Sequence, residues 1–317
     1  ITTKRGKEGE MKIEFNSSYG IQNVPRTVDL MNAQQYAEFV NVICNNDGVD
    51  PRFSQEQINQ FGEGTDWQNE TYQQAPMYNG SLSFSGGSDV FQYAVTAGYK
   101  NQQGVIPQTG FKKYSLSANL DAQLGDWIHL GNKISVTKSE KGNYQIGGPG
   151  SGNLMVQVLT TPPIYDVENE SGEYSLLGGR FTGQNPLAWA KLNDNNSYPL
   201  RTMANLFADI QITDNLSFRS TIFGDISNQR ALRWSPSNVY PGIQTSGAAW
   251  MNKSNSFLWG LTNKLDYDFN FTDHDLKFTL VHDVQRQGSE GLGDYNEQFF
   301  TDALGLGSIE LGNPETP

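Results

Sequence analysis

The sequence predicts an all-β chain: a segment of a large antiparallel transmembrane β-barrel. Short periplasmic turns are expected on one rim and long extracellular loops, some carrying short helices, on the other. Three observations carry this. Apolar and polar residues alternate with period two along most of the 317 residues, as in strands with one apolar and one polar face. Tight turns and long connections alternate between those strands, the layout of outer-membrane barrels. Charged residues make up only 18% of the chain, against about 25% in an ordinary soluble domain. The 12% of aromatics argues against a disordered chain.

The first strand opens with Met11, Ile13 and Phe15 and continues through Tyr19 and Ile21, with Lys12, Glu14, Asn16, Ser18 and Gly20 between them. Leu82 and Phe84 lead to a turn at Gly86-Gly87-Ser88-Asp89, and Phe91, Tyr93, Val95, Ala97 and Tyr99 follow it. The cleanest strand runs from Tyr114 to Leu124. Tyr114, Leu116, Ala118, Leu120, Ala122 and Leu124 share one face; Ser115, Ser117, Asn119, Asp121 and Gln123 share the other. Such a strand lies between an apolar medium and a polar one. After Gly125-Asp126 come Ile128, Leu130, Ile134 and Val136, with Asn132 interrupting the apolar face. Leu206, Ala208, Ile210 and Ile212 precede the turn Thr213-Asp214-Asn215; Leu216, Phe218 and Ile222 follow. The last hairpin runs from Phe257 to Phe271, turns at Thr272-Asp273-His274-Asp275, and returns through Leu276, Phe278 and Leu280. Roughly nine strands result, many near the about 9–11 residues that a tilted strand needs to cross a bilayer.

The connections between hairpins run from Gln22 to Pro76, Lys100 to Gly110, Lys138 to Leu200 and Asp225 to Ser254. Leu30, Tyr36, Phe39, Val40 and Ile43 are spaced for one face of a helix over 30–43, with Asn32 as its N-cap. A short helix is expected from Leu154 to Leu159, stopped by Pro162-Pro163. Gly147-Gly148-Pro149-Gly150-Ser151-Gly152 reads as a flexible loop.

Composition also excludes. A net charge of −12 lacks the basic balance of a nucleic-acid binder. No apolar run is long enough for a transmembrane helix, a test that says nothing about strands. The lone Cys44 permits no internal disulfide framework. Ile1-Thr2-Thr3-Lys4-Arg5 is not a signal peptide, and the chain looks like part of a longer polypeptide. Of the three histidines, His129 belongs to the polar face of its strand, while His274 and His282 show no metal-ligand spacing. Gly147–Gly152 lacks the Lys-Ser/Thr of a phosphate loop, and Gly305-Leu306-Gly307 has Glu310 where a dinucleotide fingerprint needs glycine. Asn45–Asp50 and Asp166–Glu170 could collect oxygen ligands for calcium, but neither matches a full calcium loop. No cofactor and no catalytic set is expected. Trp67, Tyr72, Tyr144, Trp189, Trp234, Tyr240 and Trp250 are read as lying outside the strands. Trp67, Tyr72, Trp189 and Trp234 are the candidates to touch a ligand or a partner, since flat rings with one polar handle suit sugars and peptides alike. The competing expectation is that these rings pack the loops together.

Several stretches resemble a family. Ile1-Thr2-Thr3-Lys4-Arg5-Gly6 is similar to the last plug strand of TonB-dependent receptors. Tyr19-Gly20-Ile21-Gln22-Asn23-Val24, Leu30-Met31-Asn32-Ala33-Gln34-Gln35-Tyr36 and Gly64-Thr65-Asp66-Trp67-Gln68 resemble its SusC/RagA branch. Ser83-Phe84-Ser85-Gly86-Gly87-Ser88, Gly98-Tyr99-Lys100-Asn101-Gln102-Gln103-Gly104 and Asn185-Pro186-Leu187 extend the likeness over most of the chain. The resemblance implies a plugged barrel of about 22 strands in the Gram-negative outer membrane. It further implies TonB-energised import of glycans or peptides beneath a SusD-like lipoprotein lid. On this reading residues 1–9 end the plug and residues 10–317 form an incomplete N-terminal part of the barrel, bathed by outer-membrane lipid. No residue here is assigned to the TonB contact. Two other readings stay open: a secreted β-rich carbohydrate-binding or adhesive protein, and a β-structured glycoside hydrolase.

Overall fold

The computed structural model describes residues 7–142, 153–177, 185–239, 242–271 and 274–313. Its strands are β1 (Gly9–Gln22), β2 (Ala75–Gly87), β3 (Phe91–Gln103), β4 (Gly110–Leu124), β5 (Ile128–Gly142), β6 (Asp194–Thr213), β7 (Leu216–Ser235), β8 (Ala248–Phe271) and β9 (His274–Glu297). They form one nine-stranded sheet in chain order, each strand antiparallel to the next, as in β4 against β5. Tight turns at 88–90, 125–127 and 214–215 mark one rim. The fourth, expected at Thr272-Asp273, lies outside the described residues, as do the opening residues 1–6 and the glycine-rich loop at 147–152. The wide rim carries the connections 23–74, 104–109, 143–193 and 236–247.

Two of these connections are shorter than the alternation implied. β6 begins at Asp194, β7 continues to Ser235, and β8 starts at Ala248, so the stretch expected as loop over 225–254 shrinks to 236–247. Trp234 and Trp250 therefore lie on strands, not outside them. The ladder is intact there: Asp194 pairs with Trp234, and Trp234 with Ala249. Above the apolar zone both faces of a strand meet polar surroundings. Backbone pairing then persists where side-chain alternation no longer reports it.

The faces are inverted relative to a soluble sheet. On β4, Leu116 is 52% exposed while Asn119, on the opposite face, is 8% exposed. Register carries the apolar face across strands: Ala97, Leu116 and Val136 are successive partners, as are Leu206, Ile222, Leu261 and Val284. Asn132 interrupts this face, sitting between Leu120 and Leu206. The covered face is polar and charge-paired. His129 sits between Asp121 (Nε2–Oδ1 3.3 Å) and Asp209 (Nδ1–Oδ2 3.5 Å), and Arg219 Nε reaches Asp209 at 3.0 Å. Arg201 clasps Asp225 on the same face. Gly131 belongs to the same patch: the ring of Phe207, its direct cross-strand partner, lies so close that a Cβ on Gly131 would fall 2.3 Å from it. The aromatic thereby covers the backbone that glycine leaves bare.

Two outcomes follow. Leu120→Arg, which puts a charge on the apolar face, should cost about 2–4 kcal/mol of folding stability in lipid vesicles, whereas Ser117→Arg on the polar face should cost much less. Denaturant titration of the vesicle-folded receptor reads both, and equal costs would contradict the assignment of faces. Among the described residues β1 and β9 each pair on one side only, leaving backbone groups unpaired beside an exposed apolar face. The 317 residues expressed alone should therefore aggregate without detergent, which light scattering checks; a monodisperse product that unfolds cooperatively in plain buffer would disprove it.

Candidate functional site

The wide-rim connections are built from short capped helices: α1 (Ala33–Asn46), α2 (Gln55–Phe61), α3 (Trp67–Thr71), α4 (Leu154–Thr160), α5 (Pro186–Leu192) and α6 (Gly242–Thr245). A 3-10 helix, Asp302–Leu311, follows β9. Asn32 and Ser54 start α1 and α2 with reciprocal capping boxes to Gln35 and Gln57. Asp66 caps α3 by accepting from Gln68 N and Asn69 N, each at 3.1 Å. Asn153 caps α4 by accepting from Met155 N at 2.9 Å. Asn185 caps α5 ahead of Pro186, and its side-chain amide donates to Val167 O at 2.7 Å. The expected helix over 30–43 is present as α1, shifted toward its C-terminal end, and α4 matches the expected 154–159.

Long loops must still bury apolar side chains, and these bury them in one another. Ile106 from the β3–β4 connection, Leu154, Val158 and Trp189 from the β5–β6 connection, and Val239 from the β7–β8 connection share one core, with Tyr72 of the β1–β2 connection packed against it. All four wide-rim connections thus meet. Polar ties fix the assembly: Trp67 Nε1 donates to Pro162 O at 3.1 Å, Thr65 N to Pro163 O at 2.8 Å, and Gln73 N to Val105 O at 2.8 Å. Gly64 makes the close approach possible. Its φ is +69°, and a Cβ there would fall 2.3 Å from Pro163 O.

Under this layer, against the ends of β1, β3 and β4, lies a cavity of about 570 Å³. Gln22, Gln102 and Phe111 reach it from the polar face of the sheet; Arg26, Gln68 and Tyr72 reach it from the loop layer. Gln102 Nε2 donates to Gln22 Oε1 at 2.9 Å, and Gln68 Nε2 donates to Val28 O at 2.7 Å. Burial, and then the Asp66 carboxylate, push the Tyr72 phenol above its ordinary pKa. Tyr72 therefore stays neutral at physiological pH and acts as a donor, with Met155 Sδ 3.8 Å from its hydroxyl. Glutamine amides, one guanidinium and a phenol beside apolar walls can hold an oligomer. Among the described residues no nucleophile–base pair lines the cavity.

The sequence-derived candidates are not gathered into one site. Trp67 and Trp189 are 3% and 6% exposed, within the loop layer. Trp67 also walls a second cavity of about 660 Å³ between α1 and α4. Trp234 is 6% exposed and packs in a separate core with Ala249 and Phe299, its ring 4.9 Å from Phe299. Tyr72 alone of the four lines the first cavity. Trp250 on β8 stacks beneath Arg233, whose Cζ is 4.6 Å from the ring. Tyr144 and Tyr240 lie outside the described residues. Arg26, Gln22, Gln102 and Phe111 were not singled out from the sequence, although Phe111 carries a signal: an aromatic on the polar face of its strand. Among the described residues no three His, Cys, Asp or Glu side chains group as metal ligands.

No family model matches the chain. TonB-dependent receptor P3 of Formosa agariphila is 26% identical over 318 aligned residues, covering 98% of this chain and 30% of that receptor. TonB-dependent receptor P26 of the same organism is 27% identical over 84% of this chain and 27% of that receptor. TonB-dependent receptor SusC of Bacteroides thetaiotaomicron is 24% identical over 56% of this chain and 17% of that receptor. The chain thus spans less than a third of the length of these relatives. In fold, it superposes on a chain of the RagAB peptide transporter with a TM-score of 0.80, at 23% identity, covering 98% of this chain and 38% of that one. The same transporter in an open-open state gives a TM-score of 0.78. The nine strands therefore have the fold of a barrel segment, and in sequence and in fold the chain matches part of a SusC/RagA-type TonB-dependent receptor.

Proposed function

We propose that this chain forms wall and mouth of a Gram-negative outer-membrane importer that takes up oligomeric nutrients, glycans or peptides, by TonB-energised transport. The observation that supports this best is the inverted sheet, apolar outside and polar inside, with a loop-roofed cavity at one end of its polar face. A soluble lectin or glycoside hydrolase gains nothing from exposing that apolar face to water. The chain binds and passes cargo and performs no chemistry on it.

In this reading residues 1–9 close the plug and residues 10–317 are barrel. The wide rim faces outward, and a SusD-like lipoprotein covers it. Leu30, Met31, Phe39, Val42 and Ile43 are exposed on and beside α1 and offer that lid an apolar seat. Tyr72 holds cargo through its hydroxyl and ring face. Trp67, Trp189 and Trp234 act through the loop layer, keeping its shape.

Orientation is tested by cysteine labelling on intact cells, in a Cys44→Ser background because Cys44 itself sits on the wide rim. A cysteine replacing Glu56 on α2 should react with an impermeant maleimide, and one replacing Asp89 in the β2–β3 turn should not; labelling at 89 would invert the topology. The aromatic roles separate by measuring receptor abundance and cargo uptake together. Trp189→Ala, which empties a core site at a cost of about 3–5 kcal/mol, should lower abundance and uptake in parallel. Tyr72→Ala should lower uptake roughly 5–30-fold at low cargo concentration, the equivalent of about 1–2 kcal/mol, beyond any change in abundance. Parallel losses for Tyr72→Ala would reduce it to a packing residue.

A further inference from the structure

The polar face of β3, β4 and β5 is basic near the wide rim, in a chain whose net charge is −12. Lys100 and Lys113 are direct cross-strand partners. Lys141 is the direct partner of Phe111, and Lys100 Nζ lies 6.0 Å from the Phe111 ring centroid. Phe111 in turn lines the cavity, to which Arg26 contributes a guanidinium and, among the described residues, none contributes a carboxylate. Among the described residues none of the three lysines has an ion-pair partner. The nearest carboxylate in sequence, Glu140, belongs to the other face and pairs with Lys112 at 3.7 Å.

Elsewhere on the same face four carboxylates each have a cation beside them, although Lys133, between Asn119 and Asn205, has no ion pair among the described residues. Asp209 has Arg219, Asp225 has Arg201, Asp266 has Lys264, and Asp268 has Lys277. Like charges placed directly opposite on one face destabilise a ladder. The Lys100–Lys113 pair therefore works against the sheet unless an anion comes between them. What sets this stripe apart is that two cations stand directly opposite each other with no carboxylate paired to either among the described residues.

We propose that Lys100, Lys113 and Lys141, with Arg26 above them, form a subsite for the negative groups of the cargo, and that this cargo is an acidic peptide. The inference rests on the import reading and narrows it. The peptide assignment comes from the cavity walls. Val28, Val105, Ile106 and Leu159 are aliphatic and accept side chains rather than stack on sugar rings. Gln22 is held by Gln103 O and by Gln102, whose Nε2 donates to Gln22 Oε1 at 2.9 Å, and this fixes the Gln102 amide with its Oε1 left to accept from a main-chain N–H. A guanidinium takes a carboxylate in a bidentate grip.

The test uses the full-length receptor in detergent and three probes: a fluorescent pentapeptide rich in Asp and Glu, its Asn/Gln counterpart, and a uronate oligosaccharide. The acidic peptide should bind roughly tenfold or more tighter than its amide counterpart at low ionic strength, and added salt should shrink that ratio. Lys113→Gln and Lys141→Gln should each lower the ratio several-fold, and together bring it close to one. Lys277→Gln should leave it unchanged, because that lysine already has Asp268 at 3.5 Å. Equal affinity for the two peptides, or a ratio that survives the double substitution, would overturn the proposal. Preferential binding of the uronate over the acidic peptide would overturn the peptide assignment. If the rest of the receptor supplies the counter-charge, the double variant loses heat stability and the wild type shows no preference, which also overturns it. Binding of none of the probes by a receptor resident in the outer membrane sinks the subsite and spares the membrane reading. A receptor found outside the membrane sinks that reading itself.

Discussion

A peptide group cannot be left unpaired in hydrocarbon, because nothing there replaces the hydrogen bond it would make to water. Most of this molecule answers to that constraint. It accounts for a meander in which every strand pairs with its neighbours in chain order, since hairpin closure satisfies the most backbone groups with the least connecting chain. Strands of 13 to 24 residues satisfy the constraint across the whole bilayer and carry the ladder beyond it. With β2 to β8 paired on both sides, side chains are free to sort by face. Apolar ones take the lipid side although that leaves them exposed in the isolated sheet. Polar ones take the other face and contact one another there, as Arg219 does with Asp209 and His129 with Asp121 and Asp209.

Outside the membrane the constraint changes, and so does the architecture. The wide-rim connections face water, and their apolar residues have no lipid to meet. They satisfy the hydrophobic effect by packing on one another, which turns four separate loops into one layer with its own core. Short helices suit this task because each can be started by one polar cap and stopped within two turns. The same layer roofs the cavity on the polar face. Loop integrity and the shape of the cavity are thereby coupled: Trp67, bonded to Pro162 O at 3.1 Å, holds the layer from outside this cavity.

The basic stripe is set by register more than by composition. Lys100, Lys113 and Lys141 are well separated along the chain, and each looks like an ordinary polar-face residue of its own strand. Only the pairings Lys100–Lys113 and Phe111–Lys141 place like charges side by side near a cavity to which no described residue brings an acid group. A net charge of −12 describes the chain as a whole and hides a local field of the opposite sign.

Period-two alternation by itself determined the strands inside the membrane, their two faces and the alternation of short and long connections, because a slab of lipid imposes a face-by-face contrast that each residue reports independently. Helical spacing placed α1, whose 14 residues are enough for that period to show; alternation did not extend to every strand end. It lost the upper ends of β6, β7 and β8, where both faces meet polar surroundings and the contrast vanishes. It missed α2, α3 and α5, of five to seven residues, whose only legible signs are the caps Ser54, Asp66 and Asn185. What the tertiary structure alone decided is which loops meet. The burial of Trp67, Trp189 and Trp234, the selection of Tyr72 for the cavity, and the convergence of Arg26, Gln102 and Phe111 depend on contacts between segments far apart in the chain. No local pattern encodes those contacts, because the free energy that fixes them comes from packing between loops and not from any one of them.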